Sequence, residues 1–212
     1  MAKPIFKINK NDSAETIVKK TQMNGTIRMD NKTFEYELFL LPILGNIDTI
    51  DKPTIETMLV TRLGNRFQKD GKRCLDMDED LVRENINNNE YSVIGFVKNI
   101  TDIDSKDVAS GTMQYYNWCD KNGGKQLWIG DLCRITEGDI KPSVSPVKAL
   151  LHVFEMVTVA SLGKKIKYLH LMVEDEPEKV ILPKIYKKYG FDIVGPDDCS
   201  MSEYIVMKKK ID

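Results

Sequence analysis

The chain is 212 residues long, with 42% hydrophobic and 30% charged residues and a formal net charge of −1. These values are typical of one globular domain with a substantial core, and the balanced charge predicts no general attraction to nucleic acid or to membrane surfaces. The four cysteines form no C-x-x-C pair and the two histidines lie apart from them, so the sequence predicts no metal site.

The beginning of the sequence has no apolar run of the kind that signal peptides contain. Its longest apolar stretches are too short and too interrupted to span a bilayer. We therefore expect a cytoplasmic protein with reduced thiols. The sequence leaves the oligomeric state open, with a homodimer as one possibility.

The first part of the chain predicts short helices and strands. The residues Asn11-Asp12-Ser13 are typical of a helix N-cap, Ala14 to Thr21 have helical composition, and Gly25 is predicted to end this helix. Two strands are then predicted, over 25–30 and 33–41, joined by a turn that begins at Asp30.

The middle of the chain predicts one helix and an antiparallel meander. The helix begins near Pro53, which suits a first helical position. Three strand candidates follow, over 91–100, 110–119 and 125–135. The last two are joined by Asp120-Lys121-Asn122-Gly123-Gly124, a strong hairpin signal.

The last third predicts a β-α-β-α unit. Ser145 can cap a helix that begins at Pro146 and is apolar almost all round, so we expect it to be covered on most sides. Strand 165–173 is apolar on both faces, which is typical of a central strand parallel to the preceding one through this crossover helix. The remaining helix and two strands are predicted at 178–189, 191–194 and 202–208.

The turn before the crossover helix is a candidate anion site. A helix N-terminus favours phosphate because its N–H groups are free and its dipole is positive there. The turn Ile140–Ser145 adds two hydroxyl groups and one ammonium group. An ordinary capped loop is the alternative interpretation of the same residues.

The order and spacing of these elements, which end in Tyr186-x-x-x-Gly190-Phe191, resemble the Gcn5-related N-acetyltransferase (GNAT) family. Gly95 resembles the small residue of the family's second strand, and Asp131-Leu132-Cys133 resembles the acidic-Leu-aromatic stretch of its fourth. The resemblance covers about residues 91–208, while residues 1–90 fit the family's variable first strands and helices.

The resemblance implies one GNAT-like domain over 1–212, of α/β (α+β) class, with a mixed, mainly antiparallel sheet flanked by helices. It also implies a V-shaped splay between strands 125–135 and 165–173, which holds the pantetheine arm of acetyl-CoA. The cofactor-binding residues that it implies are Leu132, Cys133 and Arg134 along the arm, and Lys141, Ser143, Val144, Ser145 and Val147 around the pyrophosphate.

The resemblance implies direct acetyl transfer from acetyl-CoA to a primary amine. Tyr186 matches the tyrosine that in this family often protonates the leaving thiolate, or at least hydrogen-bonds its sulfur, and a tyrosine hydroxyl suits that role. The alternative is that it packs with Phe191 in the core. Asp131 is the candidate general base, although it could instead point out of the sheet or pair with a lysine. Glu174 and His170 are weaker candidates.

The sequence departs from the family in its pyrophosphate loop. Residues 142–147 lack the glycines that let the backbone approach the phosphates, and Pro146 contributes no N–H group. Either the hydroxyls of Ser143 and Ser145 compensate, or CoA binding is weakened, and a non-catalytic CoA-binding or interaction module is the alternative function. For an enzyme, the expected acceptor is a small-molecule amine such as an amino sugar or sugar nucleotide, with a polyamine or a protein amine as the alternative.

Overall fold

The structure is a computed structural model that describes residues 9, 11–40, 53–58, 60–61, 83, 92–101, 108–116, 126–135, 145–162, 166–174, 181–195 and 203–211. Its helices are α1 (Ala14–Thr21), α2 (Pro146–Leu162) and α3 (Ile181–Lys188), and residues 53–58 and 60–61 are also helical. Its strands are β1 (Gln22–Met29), β2 (Lys32–Leu40), β3 (Ser92–Asn99), β4 (Val108–Tyr116), β5 (Gln126–Ile135), β6 (Tyr168–Glu174), β7 (Asp192–Ile193) and β8 (Tyr204–Lys210).

These strands form one sheet in the order β1-β2-β3-β4-β5-β6-β8-β7. Every neighbouring pair is antiparallel except β5 and β6, which run parallel. A parallel pair needs a long crossover connection, and α2 lies in that connection. The predicted mixed, mainly antiparallel sheet and its parallel crossover are therefore confirmed. The predicted hairpin at 120–124 lies outside the described residues.

Two predicted helix starts are confirmed. Ser13 caps α1, and its Oγ accepts a hydrogen bond of 3.2 Å from the Thr16 backbone N–H. Pro146 is the first residue of α2, where its missing N–H would have had no partner within the helix. Residue 53, the other proline predicted to start a helix, is also helical.

The predicted helical residues Ala14–Thr21 form α1, but the prediction that Gly25 ends this helix is wrong. Helix α1 ends at Thr21, and Gly25 lies within β1, opposite Tyr36 of β2. A Cβ atom at Gly25 would lie 2.7 Å from the Tyr36 hydroxyl oxygen. The glycine therefore makes room for a ring across the strand pair instead of stopping a helix.

Helix α2 packs on the sheet through two glycines that lie side by side. Gly95 of β3 and Gly111 of β4 are register partners. A Cβ atom at Gly95 would lie 2.7 Å from a Phe154 ring carbon and 2.8 Å from a Leu150 methyl carbon. The missing side chains let the helix approach the sheet closely at this point.

Helix α2 is covered on most sides, as expected, but one face is exposed. Met156 and Val159 are 37% and 46% exposed, and His152 and Ala160 beside them are exposed as well. The apolar surface of the helix is larger than the part that the sheet covers. Composition alone therefore overestimates the burial of α2. In the described part of the chain, no helix has the length and apolar character needed to cross a membrane.

Candidate active site

Strands β5 and β6 separate after a short paired segment. Their pairing involves only Leu127 to Ile129 of β5, although β5 continues to Ile135 and β6 to Glu174. The predicted splay between the two strands is therefore present. From residue 130 onward, the backbone N–H and C=O groups on the β6 side of β5 are not used by β6.

A β-bulge lies where β5 leaves β6. The register of β4 with β5 shifts, because Thr112 pairs with Gly130 whereas Ser110 pairs with Cys133. One β4 residue therefore lies opposite the two residues 131–132. A bulge bends the strand that carries the extra residue and increases its twist, which accounts for the separation of β5 from β6.

The bulge also turns Leu132 toward α2. Leu127 and Ile129 belong to the core beneath α2, and Leu132 packs against the same core although it lies three positions after Ile129. Regular alternation would direct it to the opposite face. A Cβ atom at Gly111 would lie 2.8 Å from a Leu132 methyl carbon, so the glycine makes room for this leucine.

The residues expected to contact the pantetheine arm all lie on this diverging part of β5. Asp131 is in the bulge with Leu132, and Cys133 and Arg134 follow it in the strand. The side chains of Asp131, Cys133 and Arg134 lie outside the described residues. Their backbone is thus located beside the opening, while the general-base role of Asp131 stays a prediction.

The N-terminal end of α2 carries the described part of the expected pyrophosphate site. Val147 packs against the same core as Leu132, and the Ser145 carbonyl accepts the first helical hydrogen bond, 3.3 Å from the Ala149 nitrogen. The Lys148 Nζ lies 3.0 Å from Asp30 Oδ2 in the β1–β2 turn. Three expected cofactor-binding residues lie outside the described residues: Lys141, Ser143 and Val144.

Tyr186 lies at the C-terminal end of α3, in a Schellman motif. The Phe191 N–H donates to the Tyr186 carbonyl at 3.1 Å and the Gly190 N–H donates to the Lys187 carbonyl at 3.0 Å, which are the two hydrogen bonds of that motif. Gly190 has φ 90, a value that favours glycine. The motif Tyr186-x-x-x-Gly190-Phe191 therefore has a structural basis in the termination of a helix.

The Tyr186 ring is half-buried at the edge of the main core. Its centroid lies 6.1 Å from that of Phe191 and 6.4 Å from that of Tyr189, both edge to face. Burial, with a smaller contribution from Tyr189, raises the pKa of Tyr186 to about 12. Its hydroxyl therefore keeps its proton at neutral pH. The ring packs with Phe191, as the alternative interpretation predicts, and the role of the hydroxyl as a proton donor stays a prediction.

His170 is a buried residue of β6, paired with Trp128 of β5. The two ring centroids lie 5.1 Å apart. Burial lowers the pKa of His170 to about 4, with the Lys208 charge acting in the same direction and a backbone hydrogen bond with Leu127 opposing both. The imidazole is therefore neutral at physiological pH and lies in the paired part of β5 and β6, before they separate.

Glu174 is the last residue of β6 and is exposed. It pairs in register with Tyr204 of β8. Because side chains alternate along a strand, Glu174 shares a face with His170 and Met172, the face opposite α2. The structure therefore locates this carboxylate beyond the last β5–β6 pair, at the end of β6.

A row of buried polar side chains was missed by sequence reasoning. Ser110, Thr112 and Gln114 of β4 are 1%, 2% and 7% exposed. The intervening Ala109 and Met113 belong to the core under α2, so the three polar side chains face the other way. The signal in the sequence was polar residues at every second position of a strand, which normally indicates a solvated face.

Among known proteins, this chain shows similarity only to solved structures. No protein-family model matches the sequence, and no curated protein is similar to it in sequence. An acetyltransferase of the GNAT family from Listeria monocytogenes is 14% identical, covers 88% of this chain and 99% of its own, and gives a TM-score of 0.43.

Two further structures are similar to a comparable degree. Arabidopsis thaliana NAA60 in complex with a bisubstrate analogue is 15% identical, covers 73% of this chain and 94% of its own, and gives a TM-score of 0.45. An N-acetyltransferase from Staphylococcus aureus is 10% identical, covers 83% of this chain and 97% of its own, and gives a TM-score of 0.40. Sequence identities and TM-scores this low support no functional conclusion, so the function has to be inferred from the geometry of this chain.

Proposed function

We propose that this chain is an acetyl-CoA-dependent N-acetyltransferase that transfers the acetyl group directly to the primary amine of a small molecule, such as an amino sugar or sugar nucleotide. The observation that carries the proposal is the bulged part of β5 after Ile129, whose backbone is not paired with β6. Val147 at the N-terminal end of α2 and the side chain of Tyr186 pack against the same core on one face of the sheet, and the Tyr186 hydroxyl is protonated at neutral pH.

The diverging edge of β5 fits an extended molecule that contains amide groups. Backbone groups on the β6 side of residues 130–135 can pair with such a molecule as they would with an added strand. Leu132, Cys133 and Arg134 would provide this pairing for the pantetheine arm. The arm would thus take the position that β6 occupies beside the earlier part of β5.

The start of α2 fits the phosphate end of the same molecule. The N–H group of Val147 and the positive end of the helix dipole favour an anion. Pro146 has no N–H group, so we propose that Ser143, Val144 and Ser145, with the Lys141 ammonium, replace the contacts that glycines would allow. Binding of CoA at this end therefore depends on side chains as well as on backbone.

Acetyl-CoA supplies the acetyl group as a thioester, whose C–S bond breaks as the amine nitrogen forms the new C–N bond. Tyr186 gives its proton to the departing sulfur, because a hydroxyl with a pKa of about 12 is protonated before the reaction. The attacking ammonium group must lose one proton before attack and a second one afterwards. Asp131 is the proposed first acceptor of these protons, directly or through water, and solvent regenerates Tyr186.

Replacing Tyr186 by Phe tests this role. Loss of one general acid should lower kcat by roughly 100-fold or more, while the Kd for acetyl-CoA stays within about twofold of the original value. The measurements are calorimetric titration with acetyl-CoA and release of free thiol on addition of an amine. Tyr189→Phe is the matched control, since it removes a hydroxyl from the neighbouring ring. An unchanged kcat for Tyr186→Phe would remove this residue as the acid.

The second candidate function is a non-catalytic CoA-binding or interaction module. It is favoured by Pro146 at the start of α2 and by the lack of glycines in residues 142–147. The same titration separates the two functions. Tight acetyl-CoA binding without thiol release from any amine supports a binding module, and the absence of binding supports an interaction module.

A further inference from the structure

Hydroxyl groups lie beside the opening of the sheet on the face opposite α2. Ser110 and Thr112 of β4 are almost fully buried there. The Ser110 Oγ has no hydrogen-bond partner among the described residues, although buried polar groups in folded proteins nearly always have one. A bound molecule with its own polar groups would supply the missing partner.

Gly130 makes a depression in the same face. It pairs with Thr112, and a Cβ atom at Gly130 would lie 3.0 Å from the Thr112 Oγ1. The side chain before it on this face is Trp128, and Met172 of β6 packs with that tryptophan. Because residue 130 has no side chain, the Thr112 hydroxyl borders the point where β5 leaves β6.

Glu174 lies on the opposite side of this opening. It is exposed, and it shares the face of Met172 by strand alternation. Paired strands lie about 4.8 Å apart and rise about 3.3 Å per residue, so the backbones of Thr112 and Glu174 would be about 12 Å apart in a regular sheet, and the separation of β5 from β6 increases this distance. A molecule the size of one or two sugar rings can reach both.

We propose that Ser110, Thr112 and Glu174 form the acceptor subsite, and that they select a primary amine that carries hydroxyl or amide groups on the same molecule. This inference rests on the function proposed above. The two hydroxyls hydrogen-bond the polar body of the acceptor, and Gly130 leaves room for it. Glu174 attracts the ammonium group, whose first proton passes to Asp131 as proposed above. The second nitrogen proton goes to solvent, and the sulfur receives its proton from Tyr186.

Thr112→Val is the main test, since valine keeps the shape of threonine and removes only the hydroxyl. Thiol release is measured with glucosamine and with cyclohexylamine, a six-membered ring amine without hydroxyls. The KM for glucosamine should rise about tenfold, as expected for one lost hydrogen bond, while the KM values for cyclohexylamine and acetyl-CoA do not change. An equal rise for both amines, or no rise, would contradict the proposal.

Glu174→Gln tests the carboxylate. It should lower kcat/KM at neutral pH for both amines, and the loss should become smaller as the pH approaches the pKa of the amine, where the neutral amine has no charge for a carboxylate to attract. Glu15→Gln, an exposed glutamate in the first turn of α1, is the control. A loss that does not depend on pH, or no loss, would exclude Glu174 as the residue that attracts the ammonium group.

Calorimetric titration of glucosamine in the presence of CoA separates this inference from the enzyme proposal, because it needs no turnover. If no amine releases thiol, yet glucosamine binds and Thr112→Val weakens binding about tenfold, the acceptor subsite is supported and the acetyltransferase function is not. If glucosamine does not bind to the unaltered chain while other amines are acetylated, the acetyltransferase function is supported and the proposed subsite is wrong. Gly195→Ala, at an exposed position with open space around it, is the control for nonspecific effects.

Discussion

His170 is a titratable side chain whose neutral form the fold favours. Its pKa is about 4 in the folded chain, against the ordinary 6.5, so the unfolded chain takes up the proton first as the pH falls. The stability that this residue contributes is therefore complete above about pH 6.5 and is lost as the pH falls toward 4. The difference of about 2.5 pKa units corresponds to roughly 3 kcal/mol at most.

His170→Phe tests this contribution, since phenylalanine can still stack on Trp128 but does not titrate. The free energy of unfolding of the unaltered chain should fall between pH 6.5 and 4 relative to that of the variant, measured by urea denaturation at several pH values. His152→Gln controls for the loss of an exposed imidazole. A constant difference between the original chain and His170→Phe over this range would contradict the expectation.

The sequence predicts the structural role of some single residues better than that of others. Tyr186 is recognisable because its motif is local: the tyrosine, Gly190 and Phe191 make one helix end together. The burial of Ser110 and Thr112 could not be predicted, because it depends on which face of β4 meets α2, and that is fixed by pairing with β3 and β5. The roles of Tyr186 and Asp131 in catalysis stay predictions.

At the scale of elements, the end of α3 depends on a single backbone conformation. Gly190 has φ 90, and a Cβ atom there would lie 3.2 Å from the Lys209 Cε. The lysine end can move, so backbone strain decides the outcome, and Gly190→Ala should destabilise the chain by about 1–2 kcal/mol. Chemical denaturation measures this value. Gly190→Asn should cost less, because asparagine tolerates positive φ better than alanine, and equal costs would argue against strain as the cause.

The contact between α2 and the sheet gives a second prediction. Gly95→Ala would bring a methyl group against Phe154 and Leu150, and overpacking of this kind destabilises by about 1–3 kcal/mol. The same substitution at Gly195, where an added Cβ atom would have no atom within 4 Å apart from those of its chain neighbours, should change the unfolding free energy by less than about 0.5 kcal/mol. Equal effects at the two positions would mean that α2 does not approach the sheet as closely as described.

Element order was predictable from hydrophobic periodicity, whereas element details were not. The crossover helix α2 and its parallel strands follow from the apolar pattern of the last third of the chain. The role of Gly25 was wrongly predicted, because a glycine looks the same in sequence whether it ends a helix or makes room for the Tyr36 ring. The β5 bulge was also absent from the prediction, since a bulge exists only in relation to the register of the partner strand.

At the scale of the whole molecule, strands from both halves of the sequence belong to one sheet. The hairpin of β1 and β2 joins the rest through β2–β3 pairing, where Phe34 to Leu40 lie opposite residues of β3. The ion pair of Lys148 with Asp30 is a second connection, from the start of α2 to the hairpin turn. The expected single domain over 1–212 stays a prediction, and these contacts are consistent with it.

The bulge in β5 amounts to one residue in 212. If either residue 131 or residue 132 were deleted, β5 would regain regular alternation opposite β4 and could continue alongside β6 toward Glu174. The ladder would then close and the sheet would have no opening. A change of one codon therefore separates a sheet with a cleft from an uninterrupted one. At this position the number of residues in β5 matters more than the identity of any side chain.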